Sequence, residues 1–266
     1  MKNTIKRRVA IVAAVVAAMV IPAALVPADA AAVPLGQPTS TNNEWLSFTN
    51  ATPGMAIGMD IGQPGRVGKC TAGPIGKKDG KFIMLTAGHC HQEDMGTRVR
   101  YATKDKNVLT ELGHYTKSQD IRSDGKVVDF KTDFAIIEIK KGTTASLAVA
   151  GKYRVDHVVD PLDLREGMEV CKYGFRTEET CGQVDYVNGN IVRVNLFSKA
   201  GDSGSPAYIK LGNNRVALVG LLSGSPCKTT CDSPDDTIDG ATNFALLAPI
   251  LEAEGINVIP SEILRD

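Results

Sequence analysis

Most of this sequence consists of short apolar runs separated by glycine and polar turns, which is the pattern of a β protein. Asn188-Gly189 lies between two such runs and predicts a tight β-hairpin, and the stretch KLGNNRVAL predicts a second one. A helical period occurs only near the C-terminus, where Pro249 fits a first helical turn and Gly255 fits a stop. The clearest strand patterns are KFIMLTAGH, DFAIIEIK, CGQVDYV, NIVRVNLF and RVALVGLLSG. The sequence therefore predicts an all-β fold with a short C-terminal helix.

Residues 1–30 have the features of a secretory signal peptide. Four basic residues precede an apolar run, and the small-residue sequence ADA ends at Ala30. Pro22 interrupts the run and polar sequence follows it, so we expect cleavage rather than a retained membrane anchor.

The remainder of the chain is expected to form one domain with two β halves. Residues 31–50 are polar and proline-rich, and we expect them to be a short leader or pro-segment. The folded domain then spans residues 51–266. Within it, residues 141–166 lack a clear strand pattern, and we expect them to join halves at about 51–145 and 166–266.

Charge and hydropathy are typical of a soluble exported protein. Removal of residues 1–30 leaves 26 basic and 29 acidic side chains. A nucleic-acid partner would require a dense basic patch, which this balance does not indicate. No second long apolar stretch occurs, so we expect no stable membrane insertion after signal cleavage.

All six cysteines follow the predicted signal peptide, and an even number in an exported chain predicts disulfides. Six cysteines allow fifteen connectivities, and proximity in sequence favours one of them. The three local pairs are Cys70–Cys90, Cys171–Cys181 and Cys227–Cys231. The sequence CKTTC also resembles half of a zinc site, but no second cluster of cysteine and histidine matches it. We therefore expect no metal and no cofactor.

Ser203 lies in the stretch KAGDSGSPAY, where small residues surround it. Three interpretations of this stretch are a plain turn, an anion-binding nest, or a nucleophile with its own oxyanion pocket. A serine hydroxyl is a poor nucleophile unless a positioned base accepts its proton. Of the four histidines, His89 stands at the end of an apolar strand beside Cys90, whereas the other three are expected to be exposed or structural.

An imidazole base also needs an acid that fixes its tautomer. Asp133 opens the apolar run DFAIIEI, and Asp129 is the nearest competitor. No histidine follows Ser203, which excludes the Ser, acid, His order of α/β-hydrolases. A subtilisin-like order would need a parallel α/β scaffold, which the predicted hairpins contradict. The remaining order is His, Asp, Ser on a β scaffold.

The motifs LTAGHC, DFAII and GDSGSP together resemble the chymotrypsin-like serine endopeptidases. The finer resemblance is to the secreted bacterial streptogrisin and α-lytic protease group, and it covers roughly residues 55–260. It is supported by VCKYGFRTEETCG, LLSGS and NFALLAPILEAEGINVI. The resemblance implies two antiparallel six-stranded β-barrels with the site in the cleft between them. It also implies hydrolysis of peptide bonds through an acyl-enzyme.

The resemblance assigns a role to each residue of the predicted site. His89 is the general base, Asp133 the orienting acid and Ser203 the nucleophile. The backbone N–H groups of Gly201 and Ser203 are expected to donate to the oxyanion, and a glycine at 201 allows that peptide orientation. The carboxylate of Asp202, between these two residues, is expected to pair with a positively charged group.

In animal members of the family, the acid that matches Asp202 pairs with the N-terminal ammonium that zymogen cleavage creates. In the bacterial members, a basic side chain takes the place of that ammonium. Lys172 matches that position, and Arg176 is an alternative partner. We expect the Lys172–Asp202 pair to support the oxyanion loop. Lys199 occupies the position of a cysteine in the family, so a disulfide that commonly braces the pocket is altered.

Substrate preference is also inferred from the resemblance. Phe197 stands six residues before the nucleophile, where trypsin-type enzymes keep an aspartate. Leu222 stands where glutamate-specific relatives often keep a histidine. We therefore expect a neutral, apolar or small P1 side chain. The residues predicted to bind substrate are Phe197, Ser198, Ser223, Gly224 and Ser225.

The sequence thus predicts a secreted, extracellular monomer that acts on polypeptides and that protein protease inhibitors bind. The alternative is a secreted binding module or toxin-like factor that has kept the fold and lost turnover, because fold and motif do not establish activity.

Overall fold

The computed structural model describes residues 33–34, 46–60, 67–91, 96–102, 108–119, 122–123, 126–127, 133–225 and 240–260. These ranges contain eighteen β-strands, most of them in two sheets, and one α-helix. The all-β prediction with a C-terminal helix is therefore confirmed.

The first sheet has nine strands, mainly from the N-terminal half of the chain. Eight of them follow the order β18-β4-β5-β10-β7-β6-β2-β3, and β1 pairs with β7. A small separate hairpin joins β8 to β9. The strands of the first sheet and of this hairpin are β1 (Val33–Pro34), β2 (Ala56–Asp60), β3 (Val67–Thr71), β4 (Ile75–Lys78), β5 (Lys81–Thr86), β6 (Arg98–Ala102), β7 (Val108–Gln119), β8 (Arg122–Ser123), β9 (Lys126–Val127), β10 (Phe134–Ile139) and, from the C-terminus, β18 (Asn257–Val258).

The second sheet closes into a six-stranded barrel. Its order is β16-β15-β12-β13-β14-β17, and β17 pairs again with β16. β11 adds to the outside of β16 in a parallel register. The strands are β11 (Arg154–Val158), β12 (Glu169–Gly174), β13 (Glu178–Asn188), β14 (Ile191–Asn195), β15 (Pro206–Gly212), β16 (Arg215–Gly224) and β17 (Ala241–Leu246).

β11 lies in the 141–166 segment, where the sequence showed no clear strand pattern. Only Val155 within β11 is fully buried, and exposed or half-buried side chains surround it. Short bridges also join Ala51 to Ala145 and Val149 to Tyr153. The connection between the halves is therefore partly β-structured.

Three clusters of buried apolar side chains explain why the central strands have continuous apolar runs. In β5, Met84 packs into a cluster within the first sheet, whereas Ile83 and Leu85 pack into a cluster shared with the second sheet. In β10, Ile137 packs into the cluster of the first sheet, and Ile136 packs into the shared cluster. A third cluster fills the barrel. Strands buried on both faces need apolar residues at every position.

Both predicted hairpins are present. β13 and β14 pair as far as Asn188 and Ile191, so the two-residue loop is Gly189-Asn190, one position later than the Asn188-Gly189 dipeptide. Gly189 has a φ of 60°, which a tight hairpin loop of this kind needs. The second hairpin joins β15 to β16 through Asn213 and Asn214, whose φ values are 50° and 56°. Such left-handed pairs are typical of type I′ turns.

The single described helix, α1 (Leu247–Glu254), ends at Gly255, as the sequence predicted. Gly255 has a φ of 62° and closes the helix with hydrogen bonds to the last turn. The chain then returns to the first sheet, where β18 pairs with β4. The C-terminal segment therefore connects the barrel of the second sheet to the first sheet.

Candidate active site

Ser203 lies in the loop between β14 and β15. The amide of Asp202 donates to the carbonyl of Lys199, and the amide of Ser205 donates to the carbonyl of Asp202, so the loop is a series of tight turns. Gly201 has a φ of 101°, a conformation that a side chain would strain, and a Cβ there would lie 2.8 Å from the Phe175 ring. The small residues around Ser203 therefore follow from the backbone geometry of the loop.

His89 lies in a 3-10 turn, Gly88–Cys90, that directly follows β5. The Cys70–Cys90 disulfide connects this turn to β3. The hydroxyl of Ser118 donates to the carbonyl of Gly88 at 2.9 Å, which holds the turn against β7. The end of a buried strand and a covalent bond thus fix the backbone of His89.

His89, Asp133 and Ser203 lie within hydrogen-bond distance of one another in a single chain of contacts. Nε2 of His89 is 2.7 Å from Oγ of Ser203, and Nδ1 of His89 is 2.9 Å from Oδ2 of Asp133. An ionised carboxylate only accepts hydrogen bonds, so Nδ1 carries the proton and Nε2 of a neutral ring is an acceptor. The arrangement lets His89 accept a proton from Ser203.

Asp133 is completely buried, and its carboxylate is well supplied with donors. The backbone N–H of His89 donates to Oδ1 at 2.9 Å, and the hydroxyl of Ser223 donates to Oδ2. A buried carboxylate without such donors would be strongly destabilising. Ser223 was predicted from the sequence only as part of the strand that binds substrate, and its contact with Asp133 depends on the fold.

The amides of Gly201 and Ser203 belong to the same loop as the Ser203 hydroxyl. In the described part of the chain, neither N–H donates a hydrogen bond within the protein. Two such amides are what an oxyanion pocket requires.

Asp202 is fully buried and accepts hydrogen bonds on both oxygens. The backbone N–H groups of Arg176 and Thr177 donate to Oδ1, at 2.9 and 3.2 Å. The Thr177 hydroxyl donates to Oδ2 at 2.6 Å, and the amide of Lys199 also donates to Oδ2. These contacts connect the loop of Ser203 to the turn between β12 and β13.

Lys172 supplies the ammonium nearest to Asp202. Its Nζ is 3.4 Å from Oδ2 of Asp202, and both side chains have no exposed surface. Nζ also donates to the Thr177 hydroxyl and to the carbonyl of Glu178. Burial lowers the pKa of Lys172, and the negative charge of Asp202 opposes that effect. Arg176 reaches Asp202 through its backbone only, and its guanidinium lies 5.9 Å from the Phe175 ring centroid.

Two predicted pocket residues, Ser198 and Ser225, meet a third hydroxyl that the sequence did not single out. Ser198 and Ser225 are hydrogen-bonded to each other, and Oγ1 of Thr242 lies 3.2 Å from Ser198 Oγ and 2.8 Å from Ser225 Oγ. Thr242 in turn donates to the carbonyl of Leu196. Phe197, the residue before this hydroxyl cluster (Ser198, Ser225 and Thr242) in the chain, is half-buried, and its ring centroid lies 5.8 Å from the ammonium of Lys199. Gly224 lies at the end of β16.

The other histidines have contacts elsewhere. Nδ1 of His157 is 3.3 Å from a carboxylate oxygen of Asp156, and the ring of His91 lies 4.5 Å from that of Tyr115. His114 is exposed on β7.

The described residues include two groups with enough potential ligands for a metal ion. Each group contains two cysteines joined in a disulfide, whose sulfurs are not the thiolates that metals bind. The groups are Cys70, His89 and Cys90, and Glu169, Cys171 and Cys181.

Some predicted features lie outside the described residues. These are Asp129, Cys227 and Cys231, together with the predicted signal peptide and most of the predicted leader at 31–50. Two of the three predicted disulfides, Cys70–Cys90 and Cys171–Cys181, are present. Within the described ranges, none of the helical structure is both long and apolar enough for a membrane span.

No protein-family model matches the chain. Uncharacterized proteins from two strains of Mycobacterium tuberculosis are 29% identical over 171 residues, which cover 62% of this chain and 72% of theirs. The fold is similar to that of protease A from Thermobifida fusca, with a TM-score of 0.57 and 19% identity over 80% of this chain and 100% of that one.

Two further solved structures have the same architecture. The chymotrypsin of Cellulomonas bogoriensis is 21% identical, with a TM-score of 0.54, over 79% of this chain and 99% of its own. A glutamic acid-specific serine protease that uses a histidine triad in substrate binding is 20% identical, with a TM-score of 0.56, over 79% and 100%. The chain therefore has the chymotrypsin-like fold of the bacterial serine proteases.

Proposed function

We propose that this protein is a secreted serine endopeptidase that hydrolyses peptide bonds through an acyl-enzyme. The observation that carries the proposal is the position of His89, whose two ring nitrogens lie 2.7 Å from the Ser203 hydroxyl and 2.9 Å from the Asp133 carboxylate. A hydroxyl, an imidazole and a buried carboxylate in this order are the parts that serine acyl transfer needs.

In the proposed reaction, Oγ of Ser203 attacks the carbonyl carbon of the scissile peptide while Nε2 of His89 accepts its proton. Asp133 keeps the Nδ1–H tautomer and stabilises the imidazolium that forms. His89 then gives the proton to the leaving amine. A water molecule, activated by the same imidazole, hydrolyses the acyl-enzyme and regenerates Ser203.

The tetrahedral intermediates carry a negative charge on the former carbonyl oxygen. The amides of Gly201 and Ser203 are the proposed donors to that oxygen, and one such donor is typically worth about 10²–10³ in rate. The contacts of Asp202 with Thr177 and Lys172 are proposed to hold the loop of Ser203 in place. The loop geometry would then exist before substrate binds, which is where the catalytic gain of an oxyanion pocket arises.

The proposed P1 preference is for a neutral side chain. Phe197 leaves the pocket without the acid that would attract arginine or lysine, and Leu222 replaces the histidine expected in a glutamate-specific site. The hydroxyls of Ser198, Ser225 and Thr242 hydrogen-bond to one another, so the proposed pocket has uncharged polar groups beside it. Ser223, Gly224 and Ser225 are proposed to face the backbone of the bound peptide.

Export also belongs to the proposal. The two disulfides are typical of proteins that fold in an oxidising compartment, and residues 1–30 have the pattern of a signal peptide. Polypeptides are the proposed substrates of a monomeric enzyme, and protein protease inhibitors are proposed ligands of the same cleft.

A fluorophosphonate probe tests the proposal, because it reacts covalently with an activated serine. We expect the mature protein to be labelled and Ser203→Ala to remain unlabelled. Absence of labelling in correctly folded protein would contradict the proposal and favour the binding module. A peptide library then measures the P1 preference of the labelled enzyme.

A further inference from the structure

Thr71, the last residue of β3, contacts the nucleophile loop from the opposite sheet. Its amide donates to the carbonyl of Ser203 at 2.8 Å, and its hydroxyl donates to the carbonyl of Gly201 at 2.9 Å. The side chain has no exposed surface. One buried residue of the first sheet therefore holds two carbonyls of the loop that carries the nucleophile.

We propose that Thr71 is a positioning residue for the oxyanion donors, an inference that rests on the proposed function. Gly201 and Ser203 are the residues whose N–H groups are proposed to face the oxyanion, and both direct their carbonyls to Thr71. A hydrogen bond that fixes the carbonyl of a residue restricts its ψ angle, and thereby the orientation of its backbone N–H relative to that carbonyl. Thr71 thus acts on both donors from one point.

The peptide between Gly201 and Asp202 depends on the Thr71 hydroxyl in particular. Its carbonyl accepts from Thr71 Oγ1, and its N–H donates to the carbonyl of Lys199 at 2.9 Å. Both ends of this peptide are therefore bonded. Without the hydroxyl, the carbonyl would lose its only hydrogen bond in the described part of the chain, and an unpaired carbonyl favours rotation of the peptide towards another partner.

The hydroxyl also links the loop to the turn that holds Asp202. The amide of Phe175 donates to Thr71 Oγ1 at 3.2 Å, so the hydroxyl accepts one hydrogen bond and donates another. The neighbouring residues Arg176 and Thr177 donate their amides to Asp202. A group that both donates and accepts at this point is therefore required, and valine, which has the same shape, cannot replace it.

The backbone of Thr71 is fixed in its turn. The hydroxyl of Thr86, the last residue of β5, donates to the Thr71 carbonyl at 2.9 Å. β5 leads directly into the turn that carries His89. The ends of β3 and β5 therefore position both His89 and the proposed oxyanion donors. Thr71 is the residue through which these strand ends hold the loop of Ser203.

The test compares Thr71→Val, which removes the hydroxyl and keeps the shape, with Thr71→Ser, which keeps the hydroxyl. We expect Thr71→Val to lower kcat roughly 10- to 100-fold, less than or similar to the loss of one oxyanion donor. KM should change less than threefold, and Thr71→Ser should retain kcat within about threefold. Affinity for a peptide boronate, which places an oxygen in the oxyanion pocket, should fall in parallel with kcat.

Thr52→Val is the matched control, because its buried hydroxyl also donates to a backbone carbonyl, that of Asn50, at 2.8 Å. It should lower stability without lowering kcat. Equal losses of kcat in Thr71→Val and Thr52→Val, or in Thr71→Val and Thr71→Ser, would overturn the proposal. So would a rise in KM with kcat unchanged.

Hydrogen–deuterium exchange of the 199–205 segment gives a readout that does not depend on turnover. Faster exchange in Thr71→Val than in Thr71→Ser and wild type supports the positioning role, and equal exchange contradicts it. If the wild-type protein shows neither labelling nor turnover, the proposed function fails, and the exchange comparison still decides whether Thr71 orders the loop. If Thr71→Val does not fold, Thr71→Ala is measured in the same way.

Discussion

The hydroxyl of Ser223 donates a hydrogen bond to Oδ2 of Asp133, the same oxygen that lies 2.9 Å from Nδ1 of His89. Ser223 belongs to β16 of the barrel, whereas Asp133 directly precedes β10 of the first sheet. Both residues are buried. This contact therefore fixes the carboxylate that orients His89 from the opposite half of the molecule.

Replacement of Ser223 by alanine should lower kcat/KM about tenfold. Hydrogen bonds to charged groups are worth about 1.5–3 kcal/mol, and 1.4 kcal/mol corresponds to a factor of ten. Steady-state kinetics on a peptide substrate measure the change. Ser146→Ala, on the segment between the halves, is the control and should leave kcat/KM within twofold. An unchanged kcat/KM in Ser223→Ala would mean that the other donors to Asp133 are sufficient.

Replacement of Lys172 by methionine should lower the free energy of unfolding by about 3 kcal/mol. Removing one partner of a buried ion pair leaves an uncompensated charge and typically costs about 3–5 kcal/mol. The backbone donors to Asp202 offset part of this cost, which places the expected loss at the lower end. Denaturant unfolding measures it, and labelling of Ser203 by the fluorophosphonate should slow as well.

Lys210→Met is the matched control for this experiment. Lys210 pairs with Glu179 at 2.7 Å, but its side chain is 36% exposed. Surface pairs of this kind are worth about 1 kcal/mol or less. If both variants lost the same stability and the same labelling rate, Lys172 would have no special role beneath the loop of Ser203.

The strands that the sequence predicted are those with continuous or alternating apolar patterns. β5 and β10 are buried on both faces, so their composition alone distinguished them. The hairpin at Asn213 and Asn214 was recognisable because few residues adopt a left-handed conformation readily. β11 was missed, since it lies on the outside of the barrel and only Val155 in it is fully buried.

Some residues of the candidate site could be predicted from the sequence, and others could not. His89, Asp133 and Ser203 were recognisable from motifs in which local sequence carries the signal. The contacts of Ser223 with Asp133 and of Thr71 with Gly201 join residues 90 and 130 positions apart, and each is an ordinary hydroxyl on a strand. Thr242 was missed for the same reason. Such roles depend on which strand ends meet between two sheets, which no local pattern records.

Replacement of Ser198 by alanine should change the P1 preference of the proposed enzyme. The hydroxyl of Thr242 donates to the carbonyl of Leu196, so within the cluster its oxygen can only accept a hydrogen bond. Loss of the Ser198 hydroxyl removes one polar group from the hydroxyl cluster. We expect the ratio of kcat/KM for an apolar P1 over a hydroxyl- or amide-bearing P1 to rise about three- to tenfold, the value of one neutral hydrogen bond.

A panel of peptides that differ only at P1 measures this ratio, with Ser146→Ala as the control. A parallel fall in kcat/KM for all P1 residues would contradict the assignment of Ser198 to the pocket. It would indicate that the hydroxyl cluster supports the loop instead of contacting the substrate.

The link between α1 and the first sheet predicts a pH-dependent contribution to stability. Glu254, at the end of α1, lies 2.9 Å from Lys78 on β4 and 2.6 Å from Lys117 on β7. Burial would raise the pKa of Glu254, but hydrogen bonds from Lys117 and Lys78 outweigh it and hold the pKa below its ordinary value of 4.5. Between the folded-state pKa of Glu254 and its ordinary value of 4.5, the unfolded chain binds more protons than the folded protein. The free energy of unfolding therefore increases with pH across this range.

Wild-type protein should therefore be more stable than Glu254→Gln by about 1 kcal/mol above pH 4.5, where the unfolded state is also ionised. The difference should disappear as pH falls through the folded-state pKa, because protonated Glu254 no longer pairs with the lysines. Denaturant unfolding at several pH values from 7 to about 3 measures it. Glu138→Gln, which removes the more exposed pair with Lys81, should have a smaller effect. A difference that grew at low pH would show that the ion pairs of Glu254 do not stabilise this link.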